Sequence, residues 1–287
     1  DIAMYHVKGQ GKNGYAFFEP SMLDATYQKV ALEKDLRRAL ERDELEMYYQ
    51  PHFDSRTGNI VGAEALMRWN HPQRGLIAAG EFLPFAEESG LMIAISDWML
   101  PALCRDLLKW RAAGIGDLPL SFNVSPQYLE HRDFFDKIHA TLAHFGIPAA
   151  QVEVEITENL CIRNPQNAAE QLNKLGQLGV SVAIDDFGTG YSSLSYLHRF
   201  PVDTIKIDQS FIKAIESDKG HYPVVLAIIS IAKGLGLRVV AEGVENEIQI
   251  AYLEQNGCTT IQGYYYSPPI PCRHLIRLIE ERQAISA

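Results

Sequence analysis

The sequence predicts an α/β protein, a TIM-type (β/α)8 barrel whose first strand is antiparallel to the others. From residue 44 onward, short β-branched runs alternate with longer helical stretches, which is the order of a parallel sheet flanked by helices. Eight such runs are present, as a closed barrel of this type requires. Residues 54–59 separate the first two runs, and this length suits a hairpin but not a helical crossover.

The predicted elements follow the chain in that order. The strands are Leu45–Phe53, Ile60–Trp69, Leu118–Ser125, Val152–Glu158, Val180–Phe187, Asp203–Asp208, Arg238–Val244 and Thr259–Tyr266. The helices are Gly80–Glu88, Ser96–Ala113, Tyr128–Phe145, Asn167–Leu178, Ser192–His198, Pro223–Leu235 and Glu247–Asn256.

Two segments precede the barrel, which we place at residues 44–287. Residues 1–22 carry an Asn13-Gly14 hairpin signal, are too few to fold alone, and are predicted to be the remnant of a preceding domain. Residues 23–43 form a predicted connector helix with Leu32, Leu36 and Leu40 on one face. A helix that simply packs on the surface of the barrel would show the same pattern.

Composition excludes several classes of protein. The formal net charge of -10 opposes binding to a nucleic-acid polymer. The four cysteines lack CxxC spacing, so we expect reduced thiols in a cytoplasmic domain rather than a zinc site. The longest apolar run, residues 224–232, is too short to span a bilayer, and we expect no membrane contact by this part of the chain. The chain begins at Asp1, so we expect a longer parent protein that a membrane anchor could hold.

Two adjacent carboxylates, Asp185 and Asp186, end an apolar strand and precede a loop with two glycines. Strand side chains alternate between faces, so both acids can share a site only where the backbone turns. We expect residues 187–190 to provide that turn. A divalent metal would hold both groups ionised. The competing interpretation is a strand-end turn with solvated aspartates.

Each predicted strand also places a polar side chain on the face opposite its apolar neighbours. Since inward faces of barrel strands converge, these groups should meet at one mouth of the barrel. Burying several carboxylates without compensation would cost several kcal/mol each, so a bound metal is the economical explanation. The converging residues are Gln50, Glu64, Asn123, Glu155, Asp185, Lys206, Glu242 and Gln262.

The chemistry of this set favours hard metal ions. Carboxylate and amide oxygens suit Mg²⁺ or Mn²⁺, and five carboxylates suit two ions about 3.5–4 Å apart, the arrangement of phosphoester hydrolysis. Lys206 could orient the attacking water, form a Schiff base or pair with the acids. Arg68 has the planar guanidinium that suits a phosphate or a guanine edge.

These residues stand in blocks that together resemble one known family, the EAL domain, from Leu45 to about Ile276. The blocks are Tyr49-Gln50-Pro51, Glu64-Ala65-Leu66-Met67-Arg68-Trp69, Asn123-Val124-Ser125, Glu155-Ile156-Thr157-Glu158, Asp185-Asp186-Phe187-Gly188-Thr189-Gly190-Tyr191-Ser192-Ser193-Leu194, Lys206-Ile207-Asp208, Glu242-Gly243-Val244-Glu245 and Gln262-Gly263-Tyr264. Residues 1–22 resemble the carboxyl-terminal end of a GGDEF domain.

The resemblance implies hydrolysis of cyclic di-GMP to linear pGpG with two Mg²⁺ or Mn²⁺ ions, and inhibition by Ca²⁺. It implies that Lys206 contacts the attacking water and that Gln262 supports the metal-bound water. The implied first-metal ligands are Glu64, Asn123, Glu155 and Asp185, and those of the second are Asp185 and Asp186 with Glu242 nearby. The implied substrate contacts are Gln50, Leu66, Arg68, Gln262 and Glu245.

The resemblance also implies regulation. Glu158 would hold the loop after Asp186, and a homodimer would form near residues 187–194. A GGDEF domain would precede this part of the parent chain. Two other functions stay open: a non-catalytic cyclic di-GMP receptor, and a metal-dependent lyase or aldolase that uses Lys206.

Overall fold

A computed structural model of the chain describes residues 31–158, 160, 165–189, 200–216 and 222–286. The predictions for residues 1–22, for helix 192–198 and for the end of the loop 187–194 lie outside these residues. The chain divides into two compact units. The first holds the described part of Asp1–Glu46 together with Met67–Ile95, and the second holds Met47–Leu66 and Ser96–Ala287.

The described residues contain ten strands, numbered here in chain order. They are β1 Leu45–Asp54, β2 Ile60–His71, β3 Gly75–Ala78, β4 Leu120–Asn123, β5 Val152–Thr157, β6 Ser181–Phe187, β7 Thr204–Ile207, β8 Arg238–Ala241, β9 Thr260–Ile261 and β10 Ile270–Pro271.

The barrel of the second unit closes as predicted. The strands from β2 through β4, β5, β6, β7, β8 to β9 pair in parallel. β1 pairs antiparallel with β9, placing Phe53 opposite Ile261, and it also pairs with β2. The link from β1 to β2 is a hairpin, in which the Asp54 amide donates to Asn59 O at 2.9 Å. The (β/α)8 barrel with an antiparallel first strand is therefore confirmed.

Helices follow most of the parallel strands and cover the barrel with apolar side chains. Their bounds are Ala79–Ser89, Met92–Ala112, Pro126–Leu129, Phe134–Phe145, Pro165–Leu178, Gln209–Lys213, Pro223–Leu235, Glu247–Gln255 and Cys272–Ser286, with a 3-10 turn at Ala149–Gln151. Residues 31–39 are also helical. No helix among the described residues has the length and apolar character that crossing a membrane requires.

Two predicted elements were wrong in extent. The predicted helix Tyr128–Phe145 is broken between Leu129 and Phe134, and the break lets the rings of Tyr128 and Phe134 pack edge to face, 5.4 Å apart, with both buried. The last predicted strand ends at Ile261, because the backbone then turns back against Val244. The short strand β3 and the terminal helix Cys272–Ser286 were not predicted.

The first unit has a small core of its own. Leu36 of the helical residues 31–39 is fully buried, as is Trp69 of β2. The Trp69 ring packs edge to face on Phe82 at 5.7 Å, and its Nε1 donates to Glu44 Oε2 at 3.1 Å. Strand β3 pairs antiparallel with the end of β2, placing Trp69 opposite Ile77.

Candidate active site

The carboxyl ends of the barrel strands hold the candidate site, where TIM barrels carry their chemistry. Most of the predicted inward residues are buried there, although strongly polar side chains are seldom buried without partners. Those buried are Gln50, Glu64, Glu155, Asp185, Lys206 and Gln262. Asp186 and Glu242 are half-buried, and Asn123 is the most exposed of the set.

Lys206 lies at the centre of this group. Its ammonium nitrogen Nζ is 2.6 Å from Glu242 Oε1, 2.7 Å from Glu155 Oε2, 3.2 Å from Glu64 Oε2 and 3.5 Å from Asp185 Oδ1. Burial alone would lower the pKa of this amine, but the surrounding carboxylates, Glu155 foremost, raise the pKa well above its usual range. The amine therefore stays protonated, which argues against a Schiff-base role.

Side-chain amides fix the orientation of Glu64. Asn123 Nδ2 donates to Glu64 Oε1 at 2.7 Å, and Gln262 Nε2 donates to Glu64 Oε2 at 2.7 Å. Gln262 Nε2 also reaches Gln50 Oε1 at 3.0 Å, while Gln50 Nε2 donates to Ser267 O at 3.1 Å. Burial opposes ionisation of Glu64, but Lys206 and the Gln262 amide outweigh it and lower the pKa. Glu64 is thus an ionised carboxylate whose two oxygens are held in a fixed orientation.

Asp185 and Asp186 share one site because the backbone turns at Asp186 itself. Asp186 has φ 55°, in the left-handed region that non-glycine residues seldom occupy, and the β6–β7 register shifts between Ile184 and Phe187. The expectation that residues 187–190 provide the turn was therefore wrong. Carboxylate oxygens of Asp185, Asp186 and Glu242 all lie within 4.8 Å of one another.

We call Glu64, Glu155, Asp185, Asp186 and Glu242 the acidic cluster. Burial, followed by the neighbouring acids, raises the pKa of three of them: Asp186 to about 6, Glu242 to about 8 and Glu155 well above its usual range. Glu155 Oε1 is buried and lacks a hydrogen-bond partner among the described residues. The single ammonium group of Lys206 therefore neither balances the charge of the acidic cluster nor gives every carboxylate oxygen a hydrogen-bond donor.

The residues present fit divalent metal ions. The donors are carboxylate and amide oxygens, which Mg²⁺ and Mn²⁺ prefer. A cation would give the buried Glu155 Oε1 oxygen a partner. It would also compensate the three converging carboxylates of Asp185, Asp186 and Glu242. Burial, followed by the repulsion of neighbouring acids, raises the pKa of Asp186 and Glu242, and a divalent ion would oppose both effects by favouring the ionised carboxylates.

Two glycines let backbone pass close beside the cluster. A Cβ on Gly263, next to Gln262, would lie 2.0 Å from Val244 O. Gly243, next to Glu242, has φ 67°, and a Cβ there would lie 2.5 Å from Gln209 Cβ. A side chain at either position would clash, so glycine allows this close approach of the backbone directly after Glu242 and Gln262.

Glu158 holds the start of the loop that follows Asp186. It is buried, its Oε2 accepts a hydrogen bond from the Gly188 amide at 3.1 Å, and its own amide donates to Asp185 O at 3.3 Å. Glu158 thus links the backbone that follows Asp186 to the end of strand β5.

Leu66, Arg68 and Glu245 are the remaining predicted substrate contacts. Leu66 is half-buried at the end of the β2 segment of the second unit. Arg68 belongs to the first unit, where its Nη1 donates to Met67 O at 2.9 Å. Glu245 is exposed, and its backbone amide donates to Gln249 Oε1 at 2.7 Å. Their role in binding substrate stays a prediction.

Sequence reasoning missed two residues beside the cluster. Asp208, two positions after Lys206, is one of the neighbouring acids that raise the pKa of Asp186, and it accepts a hydrogen bond from the Ser210 amide at 3.0 Å. His52, two positions after Gln50, is buried, and burial together with the Lys206 charge lowers its pKa to about 4. The two-residue strand period from an assigned inward residue would have found both.

The fold and the acidic cluster define a barrel with an acidic centre at the carboxyl ends of its strands. The family model described as "EAL domain" matches residues 33–269, and the chain therefore belongs to the EAL domain family. The resemblance seen in the sequence is confirmed.

Relatives with functional names align over most of the chain. It is 41% identical over 276 residues to the "Bifunctional diguanylate cyclase/cyclic di-GMP phosphodiesterase MucR" of Pseudomonas aeruginosa, covering 96% of this chain and 40% of that protein. It is 39% identical to the "Cyclic di-GMP phosphodiesterase PdeR" of Escherichia coli, covering 94% and 41%. The chain thus spans about two fifths of the length of these curated relatives.

A solved structure has the same fold. The "PaMucR Phosphodiesterase, c-di-GMP complex" is 39% identical and superposes with a TM-score of 0.82 over 85% of this chain and 99% of that one.

Proposed function

We propose that this domain hydrolyses cyclic di-GMP to linear pGpG with two divalent ions, Mg²⁺ or Mn²⁺. The observation that carries the proposal is the acidic cluster gathered around Lys206, with the Glu155 Oε1 oxygen unpartnered among the described residues. The names of the MucR and PdeR relatives support cyclic di-GMP as the substrate.

Hydrolysis adds water across one phosphodiester bond, breaking one P–O bond and returning a proton to the leaving oxygen. Lys206 would hold the attacking water and stabilise negative charge that develops on the phosphate, and its position among Glu155 and Glu242 supports this role. Asn123 and Gln262 keep Glu64 fixed, so that its oxygens need not reorganise during the reaction.

The proposed ligands are those that the resemblance to the EAL domain implies, and the mutual proximity of Asp185, Asp186 and Glu242 supports them. Glu64, Asn123, Glu155 and Asp185 would hold one ion, while Asp185 and Asp186, with Glu242 nearby, would hold the other. When bound, such ions polarise phosphoryl oxygens and lower the pKa of coordinated water. Ca²⁺ should bind without supporting turnover, because its ligand distances of about 2.3–2.6 Å exceed the roughly 2.0–2.1 Å of Mg²⁺.

We also propose the assembly around the domain. A homodimer would form near residues 187–194, and Glu158 would couple the position of that loop to Asp185 through the contacts given above. A GGDEF domain would precede the barrel in the parent chain, as the bifunctional name of MucR suggests for that relative.

The direct test is incubation of the protein with cyclic di-GMP and Mg²⁺ or Mn²⁺, with pGpG followed by chromatography. We expect pGpG to accumulate only when metal is present. Calorimetric binding of cyclic di-GMP without any product at any metal concentration would overturn the proposal in favour of a receptor. Absence of both binding and turnover would exclude cyclic di-GMP altogether.

A further inference from the structure

His52 is a buried histidine of β1 to which the proposed hydrolysis gives no role. It stands two positions after Gln50, so both side chains lie on the same face of the strand. β1 and β9 pair antiparallel, with Phe53 opposite Ile261. Continued by one residue, this register places His52 opposite Gln262, at the distance where side chains of neighbouring strands interact.

The side chains of His52 and Gln262 each have a buried polar atom without a partner. Among the described residues, neither His52 Nε2 nor Gln262 Oε1 has a hydrogen-bond partner. A buried polar atom left in this state costs free energy, so native folds seldom keep two of them on neighbouring side chains. An amide oxygen only accepts hydrogen bonds and an imidazole nitrogen can donate one, so the two atoms are complementary.

The nitrogen of the Gln262 amide group already has its partners. Gln262 Nε2 donates to Glu64 Oε2 at 2.7 Å and to Gln50 Oε1 at 3.0 Å, which uses both of its hydrogens. Rotating the amide group by half a turn would bring its oxygen against the Glu64 carboxylate. A donor at Gln262 Oε1 would therefore select the orientation in which Gln262 holds Glu64.

His52 can supply this donor as a neutral ring. Burial, followed by the Lys206 charge, lowers the pKa of His52 to about 4, so one ring nitrogen donates and the other accepts. The Gln262 side chain is one of the neighbours that oppose this shift of the pKa, which places it beside the imidazole. A Cβ on Gly62 would lie 3.2 Å from His52 Nδ1, so the glycine leaves room for the ring.

We propose that His52 is a positioning residue for Gln262: its neutral imidazole carries the proton on Nε2 and donates a hydrogen bond to Gln262 Oε1. This bond holds the Gln262 amide group in the orientation that keeps Glu64 fixed. His52 acts only through Gln262 and touches neither substrate nor metal. Its effect on turnover rests on the proposed function, whereas the tautomer of its ring does not.

Nitrogen-15 NMR of the histidine side chains tests the tautomer without substrate. We expect the His52 ring, assigned by its loss in His52→Gln, to be the Nε2–H form at pH 7. Gln262→Ala removes the acceptor, so it should shift the Nε2 proton signal and speed its exchange with water. Ser121→Ala changes the cavity of about 260 Å³ that His52 also lines, and it should leave the signal in place. An Nδ1–H ring, or a signal that Gln262→Ala does not move, would overturn the proposal.

The rate of cyclic di-GMP hydrolysis tests the consequence for Glu64. His52→Leu roughly keeps the volume but removes the donor, so we expect kcat to fall roughly fivefold to tenfold, the loss of one hydrogen bond between neutral groups. His52→Gln offers an amide N–H in place of Nε2 and should restore most of the activity, which a packing role would not explain. In a Gln262→Ala background, His52→Leu should lower kcat no further.

Three kinetic results would contradict the positioning role: normal kcat in a folded His52→Leu variant, equal losses in His52→Gln and His52→Leu, or additive losses in the double variant. If His52→Leu fails to fold by circular dichroism, the NMR comparison decides. Absence of turnover in the unaltered protein would reject the proposed function but not the pairing of His52 with Gln262, which the NMR comparison then decides alone.

Discussion

The two inward layers of the barrel use the same strands but differ in how their charge is compensated. On β5, Glu155 belongs to the acidic cluster, and Glu153, two positions earlier, lines a cavity of about 260 Å³ together with Thr204 and Arg238. Glu153 has Arg238 and Thr204 as partners, whereas Glu155 shares one ammonium with Glu64, Asp185 and Glu242. A carboxylate with its own cation is compensated within the fold, whereas carboxylates that outnumber their cation leave buried charge for a ligand to compensate.

The largest expected effect is in the layer that holds the acidic cluster. Asp185→Asn keeps the shape of the side chain but removes charge from the proposed metal bridge, so we expect cyclic di-GMP turnover to fall by at least about a hundredfold. Asp203→Asn is the matched control, since that carboxylate accepts the Val182 amide at 2.9 Å away from the cluster. Near-normal turnover of Asp185→Asn would mean that the bridge is misassigned.

Metal binding should stabilise the protein. Mg²⁺ at a hundred times its dissociation constant adds about 2.7 kcal/mol to the free energy of unfolding, provided that it binds only the native state. We expect the melting temperature to rise by roughly 5–10 °C, measured by calorimetry in Mg²⁺ and in EDTA. An unchanged melting temperature would contradict a preformed metal site at the acidic cluster.

The metal-free protein should lose stability as pH rises. Folding raises the pKa of Asp186 from 3.8 to about 6 and that of Glu242 from 4.5 to about 8. Between those values the native state binds more protons than the unfolded state, so the free energy of unfolding falls with increasing pH. Urea unfolding in EDTA from pH 5 to 8 measures this, and saturating Mg²⁺ should flatten the trend. Rising stability over this range would contradict the assigned repulsion.

The smallest expected effect is the sharpest test of the contrast between layers, because it uses two glutamates of one strand. In EDTA, Glu155→Gln should raise the melting temperature by relieving repulsion, and Glu153→Gln should lower it by weakening the pair with Arg238. About 1 kcal/mol is expected for Glu153→Gln, since Arg238 is largely exposed, which corresponds to roughly 2–4 °C. Melting-temperature shifts of the same sign for the two variants would contradict the difference proposed between Glu155 and Glu153.

Much of this arrangement could be predicted, because strand side chains alternate with a fixed period. Apolar alternation identified the inward face of each strand, and Glu64, Glu155, Asp185 and Lys206 were assigned to one mouth on that basis. The hairpin after β1 followed from the length of residues 54–59. The break between Leu129 and Phe134 was missed because both flanking segments have helical composition.

Periodicity and loop length were enough to predict the barrel, its antiparallel first strand and the convergence of carboxylates with one lysine. The folded structure was needed to show that the backbone turns at Asp186 itself, that Asp208 lies near it, and that Glu153 and Glu155 have different partners. The physical reason is that local pattern sets which face a side chain takes, whereas its charge is compensated by groups from strands far away in the chain.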